Sequence, residues 1–381
     1  MILLFHMTFI NQDWLDALGL DMPTNAKELE EVLIAFRDRD PNGNGKKDER
    51  PLIGSKDGGL IEWLINMYVY VNDNRWFNVD ENNQLYLPYL TDEYREALIW
   101  IRHLMKEGLI FNTAFSMKAN EAKAMINVPK GEDQKVGIVV GHPTQIFTDG
   151  NDAVYSYEHL PYWGYAVREE QSFTPATFIT QDCEYPLAAW EVFMTMCTKE
   201  GSYRLRYGNK GVHWVDADPG TKSFIGQDAE IRVLDESVWG GQNNANWHCI
   251  QGTVLINAEN EACQLTDDMG EWVNHKMRIM GDCYWNYVKA EKENNPDDKY
   301  IMPKLDVDED VSDADSNERS NTQTLIKQAR ADFCCGTGTY NDPTNDALWA
   351  KYVADVEAQG YKTWMEHRQL IYEAQYPERA K

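Results

Sequence analysis

The sequence predicts an α/β fold that ends in a helical region. Three observations carry this. "PTNAKELEEVLIAF" sets Leu29, Val32, Leu33 and Phe36 at i, i+3, i+4 and i+7, the single apolar stripe of a helix. "KVGIVVG", Lys135 to Gly141, is short, β-branched and bounded by glycine, as a buried strand is. The last sixty residues read as helical.

Taken in order, the first helix starts at a capping-box-like pair, Asn25 and Glu28, and runs straight into "DPNGNGKKDE". "TDEYREALIWIRHLMKEGL" is a second helix. Thr91 caps it, Tyr94, Leu98, Ile101 and Met105 line one face, and Gly108 ends it. "AVYSYEHLPYWG" reads as a strand entering a loop. "YPLAAWEVFMTMCTKEGSYRLRYG" reads as one helix, with Pro186 near its start, where proline is tolerated. The run "LDVDEDVSDADSNE", Leu305 to Glu318, reads as a solvated loop and helix start, because charge runs rarely pack. "NDALWAKYVADVEAQG" is a helix that stops at Gly360, and "YKTWMEHRQLIYEAQY" follows it.

Composition narrows the function. With 381 residues there is room for two or more domains, and 43% hydrophobic content is enough for a core. A formal charge of −26, from 36 basic against 62 acidic residues, excludes a nucleic-acid binder, which needs a basic surface to displace counterions. Anionic membranes are disfavoured for the same reason. No apolar run reaches spanning length; the longest, Leu60 to Val71, contains Glu62 and Asn66. "MILLFHMTFI" has no basic start, small-residue cleavage site or lipidated cysteine, so no export signal is expected in this chain. The seven cysteines form no C-x-x-C pair and are expected to be buried free thiols.

The loop from Asp40 to Glu49 has the spacing of a calcium loop. Such a loop wants side-chain oxygens at positions 1, 3 and 5, glycine at 6 and a backbone carbonyl at 7. Asp40, Asn42, Asn44, Gly45 and Lys46 fill those places, and Asp48 stands at position 9. Position 12 is Pro51, which cannot ligate through its side chain, and Glu49 is the candidate substitute. Without the exit-helix glutamate whose movement opens calcium sensors, a static site is expected, one that pins a loop.

The segment "INQDWLDALGLDMPTNAKELEEVLIAFRDRDPNGNGKKDERPL" resembles the solute-binding proteins of ABC sugar importers, in particular the large lipoprotein-type oligosaccharide binders that include alginate-binding proteins. "YREALIWIRHLMKEGLI", "YPLAAWEVFMTMCTKEGSYRLRYGNKGVHW" and "LWAKYVADVEAQGYKTWMEHRQLIYEAQY" resemble later family segments in the same order, so the likeness covers nearly the whole chain. It implies a periplasmic-binding-protein-like fold of type II, with two lobes and a helical C-terminal region. Members usually carry a signal peptide, a lipidated cysteine and further residues before the "DWLDALGL" segment, so lobe one is expected to be incomplete. The implied division is 1–148 for the core of lobe two, 149–207 for a return segment of lobe one, and 208–381 for cleft loops and C-terminal helices.

The resemblance implies a structural calcium held by Asp40, Asn42, Asn44, the Lys46 carbonyl, Asp48 and Glu49. It implies capture of an oligosaccharide by lobe closure, transporter membrane subunits as partners, a monomer, and an extracellular or periplasmic site of action. Sugar faces stack on aromatic rings and hydroxyls bond to polar side chains. The candidates are Trp214 in "GVHW", Trp239 and Trp247 in "SVWGGQNNANWH", Asn243 and Asn244 beside them, Trp163 in "LPYWG", and His142 after "VVG". A glycoside-processing enzyme is the alternative, since two carboxylates suffice for that chemistry. None of G-x-S-x-G, H-E-x-x-H, a P-loop or G-x-G-x-x-G is present. A remnant without ligand binding is the other alternative.

Overall fold

The computed structural model describes residues 7–56, 58–148, 150–165, 178–223, 228–234, 270–294, 302–303, 305–307 and 315–379. The elements are β1 (Thr8–Asn11), α1 (Gln12–Leu18), α2 (Ala26–Asp38), β2 (Arg50–Gly54), α3 (Leu60–Ile65), β3 (Asn78–Val79), β4 (Leu85–Tyr86), α4 (Asp92–Lys106), α5 (Ala119–Ile126), β5 (Val136–Val140), α6 (Pro143–Ile146), β6 (Tyr157–His159), α7 (Pro186–Met196), α8 (Lys199–Tyr207), β7 (Trp214–Asp216), β8 (Ile231–Val233), α9 (Gly270–Asn294), α10 (Ser316–Cys335), α11 (Asp346–Ala358) and α12 (Tyr361–Gln375).

The main sheet has the order β2-β5-β1-β6. β2 and β5 are parallel, while β1 runs antiparallel to both β5 and β6. β2, β5 and β6 therefore point the same way. Side chains alternate across the sheet. Ile10, Leu52 and Ile138 join one core with Trp14, Leu33 and Phe36. Phe9, Ile53 and Val139 join a second core with Ile126, Phe147 and Ile279. Because both faces are covered, the "VGIVV" strand is apolar without alternation. Gly137 is required here: a Cβ would come within 2.4 Å of Phe36 and 2.8 Å of the Pro51 carbonyl, so α2 lies directly on the strand.

The expected helix starts hold. The Asn25 side chain accepts from Glu28 N–H and that of Thr91 from Tyr94 N–H. Gly108 and Gly360 take left-handed φ of 71° and 83° at the predicted stops. The C-terminal helices share the first core, contributing Ile326, Phe333, Trp349, Tyr352, Trp364 and Tyr372. Arg330 of α10 reaches Asp73 at 2.9 Å and Glu62 at 3.1 Å, and Asp73 also accepts from the Tyr89 hydroxyl.

Three expectations are corrected. The helix predicted from Pro186 to Gly208 is two helices, because the Thr198 hydroxyl accepts from Gly201 N–H and caps a new start. The acidic run is not wholly solvated: Asp315 is fully buried, held by Arg368 at 2.8 Å and by Arg319. β6, which lies beyond residue 148, pairs with β1. Cys283 and Cys334 are buried thiols, but Cys183, Cys197 and Cys335 are only half-buried.

Residues 178–234 are built differently. α7 packs on α8 and has no buried residue. Phe178 and Leu187 are each 78% exposed, and Tyr185, Trp190, Val192 and Met194 are exposed too. β7 and β8 form a hairpin-like pair beside α8, with Trp214 packed on Tyr203.

Candidate functional site

Three strands of one direction end at one edge of the sheet, and crevices outside the carboxyl ends of strands are where open α/β sheets bind ligands. β2 ends at Gly54 and is followed by the buried Ser55. The Gly58 turn folds back so closely that an added Cβ would lie 2.7 Å from the Ser55 hydroxyl. β5 ends at Val140; the N–H of the next residue, Gly141, donates to the Met7 carbonyl, and His142 stands immediately before α6. β6 leads to Tyr162 and Trp163. The strand directions thus bring His142 and Trp163 to the same end.

Burial lowers the His142 pKa to about 4, with help from the charge of Lys276. The imidazole is neutral at pH 7 and has both a donor and an acceptor nitrogen, as a sugar hydroxyl would need. Trp163 is half-buried and meets Trp63 edge-on at 6.5 Å. Its indole N–H is buried without a hydrogen-bond partner. Behind this edge the buried Lys276 ammonium lies 4.1 Å from the Trp272 ring centroid. Nothing in its sequence surroundings set Lys276 apart, because its burial comes from α9 packing on β6.

Trp214 is corrected as a platform candidate. It is 3% exposed, its indole N–H donates to the Gly208 carbonyl, and Lys210 sits over its ring. It leaves no open face for a sugar. Trp239, Trp247, Asn243 and Asn244 lie outside the described residues.

The 40–49 loop enters β2 at the opposite end of the sheet. Asp40, Gly43 and Gly45 adopt φ of 46°, 67° and 72°, which curls the backbone. Asp40 Oδ1 and Asn42 Oδ1 both accept from Asn44 N–H, Asp40 Oδ2 accepts from Gly45 N–H, and Asn44 Oδ1 from Lys46 N–H. These bonds hold the side-chain oxygens of positions 1, 3 and 5 on the inside of the turn. Glu49 Oε1 is buried with no partner, and burial together with the charges of Asp40 and Asp48 raises the Glu49 pKa. A cation here would relieve both conditions. Among the described residues no three His, Cys, Asp or Glu side chains form a ready cluster. The donors of this loop fit calcium only with the amides of Asn42 and Asn44 and the Lys46 carbonyl included, and those are ligands that calcium accepts. Lys135, which no local pattern in the sequence singled out, ion-pairs with Asp48 at 2.9 Å.

Comparison with solved structures decides the architecture. The human-milk-oligosaccharide (HMO) binding, ABC-transporter-associated solute-binding protein of Bifidobacterium longum infantis superposes with a TM-score of 0.70 at 21% identity, covering 97% of this chain and 73% of that one. The fold is that of the ABC-transporter solute-binding proteins. It is the periplasmic-binding-like type II fold that the motifs implied. In sequence, the chain is 33% identical over 157 residues to the fructooligosaccharide ABC transporter substrate-binding protein FusA of Streptococcus pneumoniae, a stretch covering 41% of this chain. It is 38% identical over 134 residues, 34% of the chain, to Lipoprotein LipO of Bacillus subtilis. These matches span only 28% of FusA and 25% of LipO. A solved FusA structure, described as an EF-hand mutant in complex with fructo-nystose, superposes with a TM-score of 0.66 at 20% identity, covering 98% of this chain and 72% of that one. No family model matches the chain. FusA and the Bifidobacterium protein are binding proteins of ABC transporters, and no described helix of this chain is long and apolar enough to cross a membrane.

Proposed function

We propose that this chain is the oligosaccharide-capturing component of an ABC importer, working outside the membrane with the transporter's membrane subunits, and that it is not an enzyme. The observation that supports the reading is that His142 and Trp163 both follow the carboxyl ends of strands of one direction, β5 and β6, in a fold shared with sugar-binding proteins. A neutral imidazole and an indole are suited to hydroxyls and to an apolar sugar face. We place the division between lobes beyond β6, with residues 178–234 in the other lobe, and the Asn-rich stretch around Trp239 and Trp247 among the cleft loops.

We further propose that the 40–49 loop binds one calcium through Asp40, Asn42, Asn44, the Lys46 carbonyl, Asp48 and Glu49. When bound, the ion would supply charge neutralisation and nothing else. The residues' own part is to hold the entry to β2, and through β2 the parallel partner β5, which His142 follows.

The test is tryptophan fluorescence and thermal shift of the purified chain with a panel of fructooligosaccharides, milk-type and acidic oligosaccharides, with calcium or EDTA. A sugar-specific change that His142→Ala or Trp163→Ala weakens is expected. No response to any sugar, together with turnover of a glycoside, would replace the binding reading with the enzymatic one.

A further inference from the structure

Asp48 is a proposed calcium ligand, yet both of its oxygens are committed. Oδ1 accepts from the Asn44 amide at 3.2 Å and Oδ2 meets Lys135 Nζ at 2.9 Å. Lys135 is not a random surface neighbour. Its N–H donates to Gln134 Oε1 and its carbonyl accepts from Arg50 N–H, so its backbone is fixed where β5 pairs with β2. Its side chain is half-exposed and can turn to water without unpairing a strand.

We propose that the Lys135 ammonium is a built-in competitor for the metal of the 40–49 loop: it holds Asp48 when no cation is bound and gives up that carboxylate when calcium enters. The inference rests on the calcium reading above. It follows from charge. Asp40, Asp48 and Glu49 put three carboxylates in one loop. One ammonium on Asp48 lowers their repulsion and keeps the loop folded without metal. The same ammonium, 2.9 Å from a carboxylate that the ion would use, would repel a divalent cation. Lys46 and Lys47 are exposed; the charge of Lys46 also acts on Asp48, but after that of Lys135, which alone holds the carboxylate at ion-pair distance among the described contacts. The loop is therefore set for graded occupancy, ordered in both states, with Lys135 tuning how much calcium is needed.

The experiment is calorimetric calcium titration of the whole chain at low ionic strength, for the wild type, Lys135→Met and Lys135→Arg, with the melting temperature of each in EDTA. Lys135→Met keeps the stem and removes the charge. It is expected to bind calcium about tenfold more tightly and to melt lower in EDTA, while Lys135→Arg stays near wild type in both. Wild-type binding with equal or weaker affinity in Lys135→Met overturns the inference and leaves the calcium site standing. No binding by any of the three proteins at millimolar calcium overturns the calcium reading and the inference with it.

Discussion

α2 and α7 are short helices of similar length with opposite surroundings. α2 buries Leu29, Val32, Leu33, Ala35 and Phe36 against the sheet and turns its charges outward. α7, "PLAAWEVFMTM", carries one charge, Glu191, and buries nothing. A helix that is apolar all round is one built to be covered on more than one side, and α8 covers only part of α7. The difference teaches where this chain is self-sufficient. The sheet with its C-terminal helices closes its own cores, while residues 178–207 present more apolar surface than their described neighbours take up.

The contrast predicts a steep gradient of mutational cost. Phe36→Ala, which empties the space against Trp14 and Gly137, should cost about 3–5 kcal/mol, read as a large drop in the urea midpoint. Arg330→Ala, which takes a buried guanidinium from the half-buried Asp73 and Glu62, should cost about 3 kcal/mol, read in the same way. Acid should act on the sheet region next. Burial lowers the pKa of His142 and His159 to about 4. The unfolded chain then binds more protons than the native one between about pH 6.5 and 4, so stability falls as pH falls through that window, by on the order of 3 kcal/mol per histidine once both forms are protonated. His159→Gln should flatten the slope, and an unchanged slope would sink the assignment. Calcium at a hundredfold excess over its Kd should add about 2.7 kcal/mol, seen as a melting shift that EDTA reverses. At the bottom of the scale, Leu187→Ala should change stability by about 0.5 kcal/mol or less, as exposed positions do. A loss above about 2 kcal/mol there would break the contrast, because it would mean that α7 is covered in solution.

Much of the fold was legible because it is locally encoded. Asn25 and Thr91 cap helices through bonds to residues three positions on, and the stripe of α2 follows from its spacing. The 40–49 loop was legible for the same reason: its oxygens, glycines and Asx bonds all lie within one turn of chain. The single-helix reading of 186–208 failed on a local signal that was present, Thr198 three residues before Gly201, but masked by the apolar run around it. Trp214 failed as a platform for a different reason. Its exposed-looking "GVHW" setting says nothing about Tyr203 and Gly208, which enclose it.

The sequence by itself determined α2, α4, α11 and α12, the caps at Asn25 and Thr91, the buried strand β5 and the tight turn of the 40–49 loop, since each depends on hydrogen bonds and side-chain periods that span a few residues. Only the tertiary structure decided that β1 runs against β5 and β6, and so that His142 and Trp163 share one edge while the loop sits at the other. It alone buried Asp315 under Arg368, put Arg330 between Asp73 and Glu62, and set Lys135 on Asp48. Those pairings join residues far apart in the chain. Charge and hydrogen-bonding capacity are visible in a residue's letter, but which partner satisfies them is settled only when strands and helices pack and exclude water.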